Sequence, residues 1–226
     1  MEQYVMGSGN QVNSVTVVQG KYYEKIHEKH VSSYEEFGAA NIRDNITSTF
    51  REALIQLNTP NKSNNMLLVG KVQSGKTSNL ELFTALAFDN GFNLVIIYGG
   101  YDSTLLSQTT NRFKKTFDIP NDTDYSDDTP VVFSSDDSAQ LLTVDDEIIE
   151  DLLDADKPIF LISMKRPAAM NKVNDLLARI DKSNLKAFII DDEGDQASLN
   201  TKKNKMLDAS ATYASIVSMK DRKSVV

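Results

Sequence analysis

The sequence predicts an α/β fold, in which a parallel sheet carries helices on both faces. From residue 64 onward, short apolar runs alternate with longer amphipathic stretches, which is the order of strands and helices in such folds. Several of these runs are apolar at every position, as strands covered on both faces are. The chain has 226 residues, of which 40% are hydrophobic and 25% charged, the composition of a globular domain with one core.

Two regions are expected along the chain. Residues 1–30 are polar and are predicted to form an extension with no more than one short strand, at 12–18. Apolar residues at helical spacing predict a helix over 34–57, and a turn-rich segment at 59–64 follows it. The first region, 1–63, is therefore expected to be this extension and helix, and the second, 64–226, the α/β domain.

The same patterns divide the α/β region into its elements. Gly91 is expected to end one helix, and Pro167 to lie in the first turn of another. Strands are predicted at 66–69, 94–98, 131–133, 158–163 and 185–190, and helices at 76–90, 103–117, 144–153, 167–180 and 209–219. Another apolar run begins at 224–226, so the domain is expected to be C-terminally incomplete.

The net charge is unevenly distributed. It is −8 for the chain, but residues 118–156 hold 14 of the 32 acidic residues and no Lys or Arg. The other 187 residues carry 18 acids against 24 bases, a net of +6. The chain is therefore not a simple polycation, and its mildly basic body remains compatible with a nucleic-acid partner. The acidic segment is interpreted as an insert with a solvated face or a partner surface.

Composition also limits the chemistry and the location. The chain has no cysteines, which excludes disulfides and thiolate chemistry. Its N-terminus has neither a basic nor an apolar signal region, and no apolar run approaches 18 residues. We therefore expect a cytoplasmic protein with no membrane partner.

One motif predicts a phosphate-binding loop. Residues 70–77 read Gly-Lys-Val-Gln-Ser-Gly-Lys-Thr and match G-x-x-x-x-G-K-[ST], with a predicted strand before and a helix after. Glycines let consecutive backbone N–H groups face an anion, and the helix amino end adds its positive dipole. In this pattern Lys76 reaches the outer phosphates and Thr77 binds Mg²⁺. The nucleotide-binding residues are predicted to be Gly70, Val72, Gln73, Ser74, Gly75, Lys76, Thr77 and Ser78.

A second motif follows a predicted strand. Residues 191–195 read Asp-Asp-Glu-Gly-Asp, and parallel sheets bind ligands at the carboxyl ends of their strands. An acid there can hold the magnesium shell, and a neighbouring carboxylate can orient or deprotonate water. We assign Asp192 to the metal and Glu193 to the water, so the predicted catalytic residues are Glu193 and Lys76. Asp191 is the competing choice for the metal.

Two other classes of phosphate-loop protein are disfavoured. Asp191 and Gly194 match the D-x-x-G of GTPases, but the N-K-x-D that reads guanine is missing. The nearest match, at 171–174, lacks the Asp and precedes the acidic motif. A nucleotide kinase would need an Arg-rich lid, whereas the arginines of this chain are not clustered.

Together the two motifs resemble those of superfamily two, or DEAD-like, helicase ATPases. The Gln-Ser-Gly-Lys-Thr core and the Asp-Asp-Glu-Gly-Asp-Gln-Ala-Ser segment carry the likeness. More narrowly, residues 64–226 resemble the ATPase part of the bacterial and phage Z-one domain endonuclease family of defence and restriction systems, with further motifs at 98–112 and 163–167. Gln73 replaces the first glycine of the DEAD-type core, and Gly194 an alanine. Neither change removes a phosphate or metal ligand.

The resemblance implies a P-loop NTPase with a RecA-like sheet. It further implies that ATP and Mg²⁺ lie against a second RecA-like domain, in the same or another chain, which supplies an arginine finger. Without that arginine this chain is expected to hydrolyse ATP slowly. Asp195 would couple the ATP site to a nucleic acid, with DNA expected. Contacts with its backbone would come from Ser107, Gln108, Arg112, Lys165 and Arg166.

Other function classes stay open at this point. A non-catalytic module would use ATP occupancy only to change its contacts with a nuclease or another partner, and a small-molecule kinase would consume ATP only with an added acceptor. No nuclease constellation of carboxylates and Lys is found. His27 and His30 are interpreted as part of a solvated helix face rather than a metal site, and the aspartates at 122–128 as a solvated loop rather than a calcium loop.

Overall fold

The structure is a computed structural model that describes residues 15–32, 36–57, 76–100, 102–120, 129–134, 146–181 and 183–192. By its internal contacts the chain divides between Gly91 and Phe92 into two compact units. The strands predicted at 66–69 and 224–226 and the helix predicted at 209–219 lie outside the described residues. So does the predicted domain boundary at 63/64, which stays a prediction.

The described part of the first unit is helical. Its helices are α1 (Lys21–Val31), α2 (Glu36–Leu57) and α3 (Lys76–Asp89). The predictions of α2 and α3 are confirmed, and Gly91, with φ of 81°, has the left-handed conformation expected after a helix end. Helix α1 was not predicted, and residues 15–18 of the predicted strand are not in a strand.

Helix α1 has a cap that no local sequence pattern reveals. It begins after Gly20, which has no side chain to accept from the first N–H groups. The carboxylate of Asp89, at the end of α3, takes that role instead. It accepts from the backbone N–H groups of Gly20, Tyr22 and Tyr23 at 2.9, 3.2 and 2.8 Å. The prediction of an extension was wrong here because this helix is stabilised by a residue 66 or more positions away.

The interpretation of His27 as part of a solvated face is also wrong. His27 is 5% exposed, and it lies with Tyr23 and Ile26 on the buried face of α1. Its Nε2 lies 3.2 Å from the carbonyl oxygen of Ala39, and its Nδ1 lies 3.3 Å from the guanidinium of Arg43. Helix α2 thus supplies both polar partners of this histidine.

Helix α3 is buried on all sides along its middle. Every residue from 81 to 88 is buried, which is typical of a helix in the interior of a fold rather than on its surface. Within the first unit it packs against α1 through Tyr22 and Phe88 and against α2 through Phe50 and Phe83. Since the amino end of α1 lies at Asp89 and His30 lies at Glu81, α1 runs antiparallel to α3.

The second unit is an α/β unit, as predicted. Its described elements are β1 (Leu94–Gly99), α4 (Ser103–Thr116), β2 (Val131–Ser134), α5 (Asp146–Asp154), β3 (Ile159–Ser163), α6 (Pro167–Arg179) and β4 (Ala187–Asp192). The four strands form one sheet in the order β2-β3-β1-β4, and every pairing is parallel. Strands β1 and β3 are buried at every position, which explains their unbroken apolar sequences.

Helices cover both faces of this sheet. On one face, Phe113 and Phe117 of α4 pack on Phe160 with ring centroids 5.6 and 5.0 Å apart. On the other face, apolar side chains of α5 and α6 join Leu161 and its neighbours in one buried cluster. Adjacent residues of a strand point to opposite faces, so Phe160 and Leu161 mark the two layers. Among the described helices, none is long and apolar enough to cross a membrane.

The acidic segment is not an insert in its described parts. It supplies β2, which pairs with β3, and α5, whose Ile149 and Leu153 are buried in the cluster. Three acids of α5 contact α6 or the chain after it: Asp146 lies 2.7 Å from Arg179, Glu150 accepts from the backbone N–H of Asp181, and Asp154 accepts from the side chain of Asn184. The described parts of this segment are therefore integral to the α/β unit.

Candidate functional site at the carboxyl edge of the sheet

The carboxyl ends of the four parallel strands define one edge of the second unit. Such an edge is where open α/β sheets bind their ligands. Polar and small residues at or just after the strand ends are Gly99, Gly100, Ser134, Lys165, Asp191 and Asp192, which are described below, and the buried Ser163.

Asp191 and Asp192 end strand β4 and point to opposite faces of the sheet. Asp191 pairs in register with Tyr98, and Asp192 with Gly99. Registered partners in a parallel pair lie on the same face, so Asp191 shares the face of Tyr98, which belongs to the cluster under α5 and α6. Asp192 lies on the α4 side. The two candidates for the metal residue therefore face different surroundings.

Asp191 is engaged by a buried lysine. The Nζ atom of Lys165 lies 2.7 Å from Asp191 Oδ1, and the two side chains are 1% and 29% exposed. The geometry is that of a close ion pair rather than an aligned hydrogen bond. The backbone N–H of Lys165 donates to the carbonyl oxygen of Gly100 at 2.8 Å. Lys165 was expected to contact a nucleic-acid backbone, but in this structure its ammonium is withdrawn from solvent and faces Asp191.

Tyr98 lies beside this ion pair and is 1% exposed. Burial, and after it the negative charge of Asp191, raise the pKa of the Tyr98 hydroxyl far above its ordinary value. Tyr98 is therefore protonated at every physiological pH. Its neutral side chain lies at the sheet edge beside the ion pair and cannot act as a base.

The turn from β1 into α4 is closely packed. A Cβ atom at Gly99 would lie 2.8–2.9 Å from the side chain of Thr109, and one at Gly100 would lie 2.5 Å from the Cβ of Leu105. Gly100 also has φ of 86°, a conformation that favours glycine. The Gly-Gly pair is thus explained by the approach of α4 to the end of β1.

Three polar residues of this region, in two contacts, were not singled out from the sequence. Asp102 is the N-cap of α4, and its Oδ1 accepts from the backbone N–H of Leu105 at 2.9 Å. An aspartate three residues before that N–H is a recognisable capping signal. The buried hydroxyls of Thr110 and Ser134 lie 3.0 Å apart and join α4 to the end of β2. Only the tertiary structure reveals that second contact.

The other residues predicted to contact nucleic acid lie on α4 and at the start of α6. Gln108 and Arg166 are exposed, and Ser107 and Arg112 are half-buried. Arg166 is the N-cap residue of α6, directly after the buried Lys165. The exposure of Gln108 and Arg166 leaves them accessible, and the nucleic-acid contact stays a prediction.

The phosphate-loop residues fall mostly outside the described part of the chain. Lys76 and Thr77 are the first residues of α3, and Ser78, in its first turn, is half-buried. This helix start agrees with the motif, in which a helix begins at the Lys-Thr pair. The remaining predicted residues, Gly70, Val72, Gln73, Ser74, Gly75, Glu193 and Asp195, lie outside the described residues.

Further along α3 is a buried charge. The side chain of Glu81 is 3% exposed, and its Oε2 lies 2.7 Å from Nε2 of His30 at the end of α1. Sequence spacing alone could not pair these residues, because 51 positions separate them. The contact fixes α1 to the part of α3 that follows Lys76 and Thr77.

The donors available for a metal at the described edge are few. In the described parts of the chain there is no group of three or more His, Asp or Glu side chains that could hold a metal ion. A single carboxylate fits Mg²⁺, which takes one or two protein carboxylates and completes its shell with waters and substrate phosphates. Among the described residues of this edge, Asp192 is a carboxylate that could serve as such a ligand.

Comparisons with known proteins returned no relatives. Neither a protein family, nor a curated protein, nor a solved structure matches this chain.

Proposed function

We propose that this chain binds ATP with Mg²⁺ and hydrolyses it, as the P-loop, RecA-like ATPase part of a helicase-like enzyme that acts on nucleic acid. The observation that supports this most is the place of Asp192. It is the last residue of a parallel strand, at the sheet edge where such folds bind ligands, and it belongs to an acidic motif of the type that accompanies a phosphate loop. We expect a cytoplasmic role in DNA processing, restriction or phage defence.

The phosphates of ATP are assigned to residues 70–78. The glycines allow a run of backbone N–H groups to face an anion, and α3 begins at Lys76, where the motif needs a helix amino end. Lys76 supplies a full positive charge to the outer phosphates, and the Thr77 hydroxyl is a metal ligand in this motif. The removal of Lys76 is therefore expected to affect binding itself.

The structure offers a reason to prefer Asp192 over Asp191 as the metal residue. Asp191 faces the buried ammonium of Lys165 at 2.7 Å, and a metal there would have to compete with that cation. Asp192 points to the other face of the sheet. When bound, Mg²⁺ neutralises charge on the phosphates and orients them. Glu193, one residue on, is proposed to orient the attacking water.

Nucleic-acid contacts are proposed for Ser107, Gln108, Arg112 and Arg166. Lys165 is no longer proposed as a nucleic-acid contact, because its side chain is only 1% exposed. The segment that carries Arg166 is joined to the end of β1 by the bond from the N–H of Lys165 to Gly100. A nucleic acid held by Arg166 would therefore rest on the same edge that bears Asp192, and Asp195 is proposed to link the two sites.

The experiment is a Glu193→Gln substitution in the whole protein. The variant should bind ATP as the original does but release no phosphate, because the neutral amide cannot deprotonate the attacking water. Binding is measured by titration calorimetry, and phosphate release is measured with and without DNA. A matched control is Glu147→Gln, on the exposed side of α5, which should leave both unchanged.

Two results would contradict the proposal. If Glu193→Gln released phosphate at the original rate, Glu193 would not be the catalytic carboxylate. If the original protein released phosphate at a rate that DNA does not change, the nucleotide would serve as a switch for a partner rather than as fuel.

A further inference from the structure

We propose that Lys165 is a positioning residue for the metal-binding carboxylate. It holds Asp191, and through Asp191 the end of β4, so that Asp192 keeps a fixed direction toward the Mg²⁺ of bound ATP. This inference rests on the proposed function. It assigns Lys165 a role inside the sheet edge, in place of the nucleic-acid contact that the sequence suggested.

Lys165 connects the ends of three strands. It follows β3 in the chain, its backbone N–H donates to Gly100 at the end of β1, and its side chain reaches Asp191 on β4. In the strand order, β1 lies between β3 and β4, so the lysine stem crosses the end of the middle strand. Strands two places apart are separated by about 10 Å, a span for which a long side chain is needed.

Burial makes this ion pair demanding of its partners. The side chain of Lys165 is 1% exposed, and lysines are almost never so buried unless they are paired. If Asp191 turned away, a buried ammonium would lose its counter-ion, which costs much more than breaking a surface pair. The carboxylate of Asp191 is therefore held firmly in one orientation.

The restraint on Asp191 acts on its neighbour through the backbone. Consecutive residues of a strand point to opposite faces, so fixing Asp191 on one face fixes the direction of Asp192 on the other. Groups that orient a metal ligand without contacting the metal can govern affinity strongly, with losses of about 10- to 100-fold when they are removed. We expect Lys165, which acts on Asp192 only through Asp191, to influence metal affinity in this way.

The test compares ATP binding with and without a metal in the full chain. Affinity is measured with Mn²⁺ as the probe metal and again in EDTA, for the original protein and for Lys165→Met, which keeps the apolar stem and removes the charge. We expect about tenfold weaker binding with Mn²⁺ and unchanged binding in EDTA. The matched control is Lys172→Met, at an exposed position of α6, which should behave as the original.

A thermal unfolding midpoint, measured for each variant, separates positioning from stability. If Lys165→Met does not fold, Lys165→Gln replaces it, since glutamine also lacks the charge but can donate one hydrogen bond to Asp191. The selective loss of the Mn²⁺-dependent affinity in a folded variant supports the proposal. An equal loss with Mn²⁺ and in EDTA, in step with a lower midpoint, would show a purely structural role and overturn it.

Three other outcomes are possible, and each would count against the inference or the proposed function. If the substitution left the Mn²⁺-dependent affinity unchanged, Lys165 would have no positioning role, and the proposed function would stand without it. If that affinity rose, Asp191 would be the metal residue, released from a competing cation, and the inference would be wrong. If the original protein bound no ATP in either condition, the proposed function itself would fail, and this inference with it.

Discussion

At the scale of single residues, the sheet edge is shaped by contacts between segments distant in the sequence. Gly100 shows this directly, because its φ of 86° and the nearby Cβ of Leu105 both require a residue without a side chain. The Gly-Gly pair is visible in the sequence, and its place after an apolar run predicts a turn. That α4 returns to within 2.5 Å of a Cβ at this position follows only from the tertiary structure.

We predict that Gly100→Ala destabilises the α/β unit. The left-handed backbone conformation alone is expected to cost about 1–3 kcal/mol for a residue with a side chain, and the contact with Leu105 adds to that cost. The measurement is the free energy of unfolding in urea. Asn111→Ala, on the exposed side of α4, is the control and should change it little. A Gly100→Ala variant as stable as the original would refute the packing described for this turn.

The same scale shows which parts of the site could be predicted. The acidic motif was recognisable because carboxylates after an apolar run are a local pattern, and β4 does end at Asp192. The pairing of Lys165 with Asp191 was not recognisable, because Lys165 follows β3 whereas Asp191 lies in β4, and these two strands are not adjacent in the sheet. Local patterns therefore locate candidate ligands, while the residues that orient them come from elsewhere in the fold.

At the scale of elements, the first unit shows the largest difference from the sequence prediction. Helix α1 was missed because it follows a glycine that has no capping side chain, and the capping carboxylate, Asp89, comes from α3. Burial raises the pKa of Asp89, and the three backbone N–H groups that it accepts from oppose that shift. Strands β1 and β3 were predicted well because continuous apolar runs leave little choice for a strand buried on both faces. Strand β4 lies two residues later than the predicted 185–190, so Asp191 and Asp192 belong to the strand rather than following it.

We expect the contact of His27 of α1 with α2 to make the stability of the protein depend on pH. Burial, and after it the positive charge of Arg43, lower the pKa of His27 below its ordinary value of 6.5, while the carbonyl of Ala39 and the charge of Glu24 act in the opposite direction. Neutral His27 fits its surroundings, because Nε2–H can donate to Ala39 and Nδ1 can accept from Arg43. A protonated ring would bring a second cation against the guanidinium.

The sign of the effect follows from linkage. A pKa lowered in the folded state means that the unfolded chain binds the proton more readily, so this contribution is present above pH 6.5 and is lost as pH falls through the folded pKa. We predict that the thermal unfolding midpoint is lower at pH 5.5 than at pH 7.5, roughly the range in which histidines titrate. His27→Gln should reduce this fall, whereas Asn45→Gln, at an exposed position of α2, should retain it. An equal fall in all three proteins would contradict the prediction.

At the scale of the whole molecule, charge is best understood through the fold. The segment at 118–156 looks like an acidic insert in the sequence, yet it supplies β2 and α5 to the α/β unit. The acidic residues made this segment look like a separate insert. Composition alone could not show that Ile149 and Leu153, on the same helix as several of these acids, belong to the hydrophobic core. The strand order β2-β3-β1-β4 was likewise beyond a sequence pattern, because alternation of strands and helices does not fix their order in the sheet.

The proposal that residues 70–77 bind ATP can be checked by equilibrium binding of ATP with Mg²⁺ to the original chain and to Lys76→Ala. We expect saturable binding by the original chain and its loss in Lys76→Ala, with the control Lys172→Ala unchanged, because Lys76 carries the charge that meets the outer phosphates. Equal binding of ATP by the original chain and Lys76→Ala, or no binding by the original chain, would show that these residues are not an ATP-binding loop.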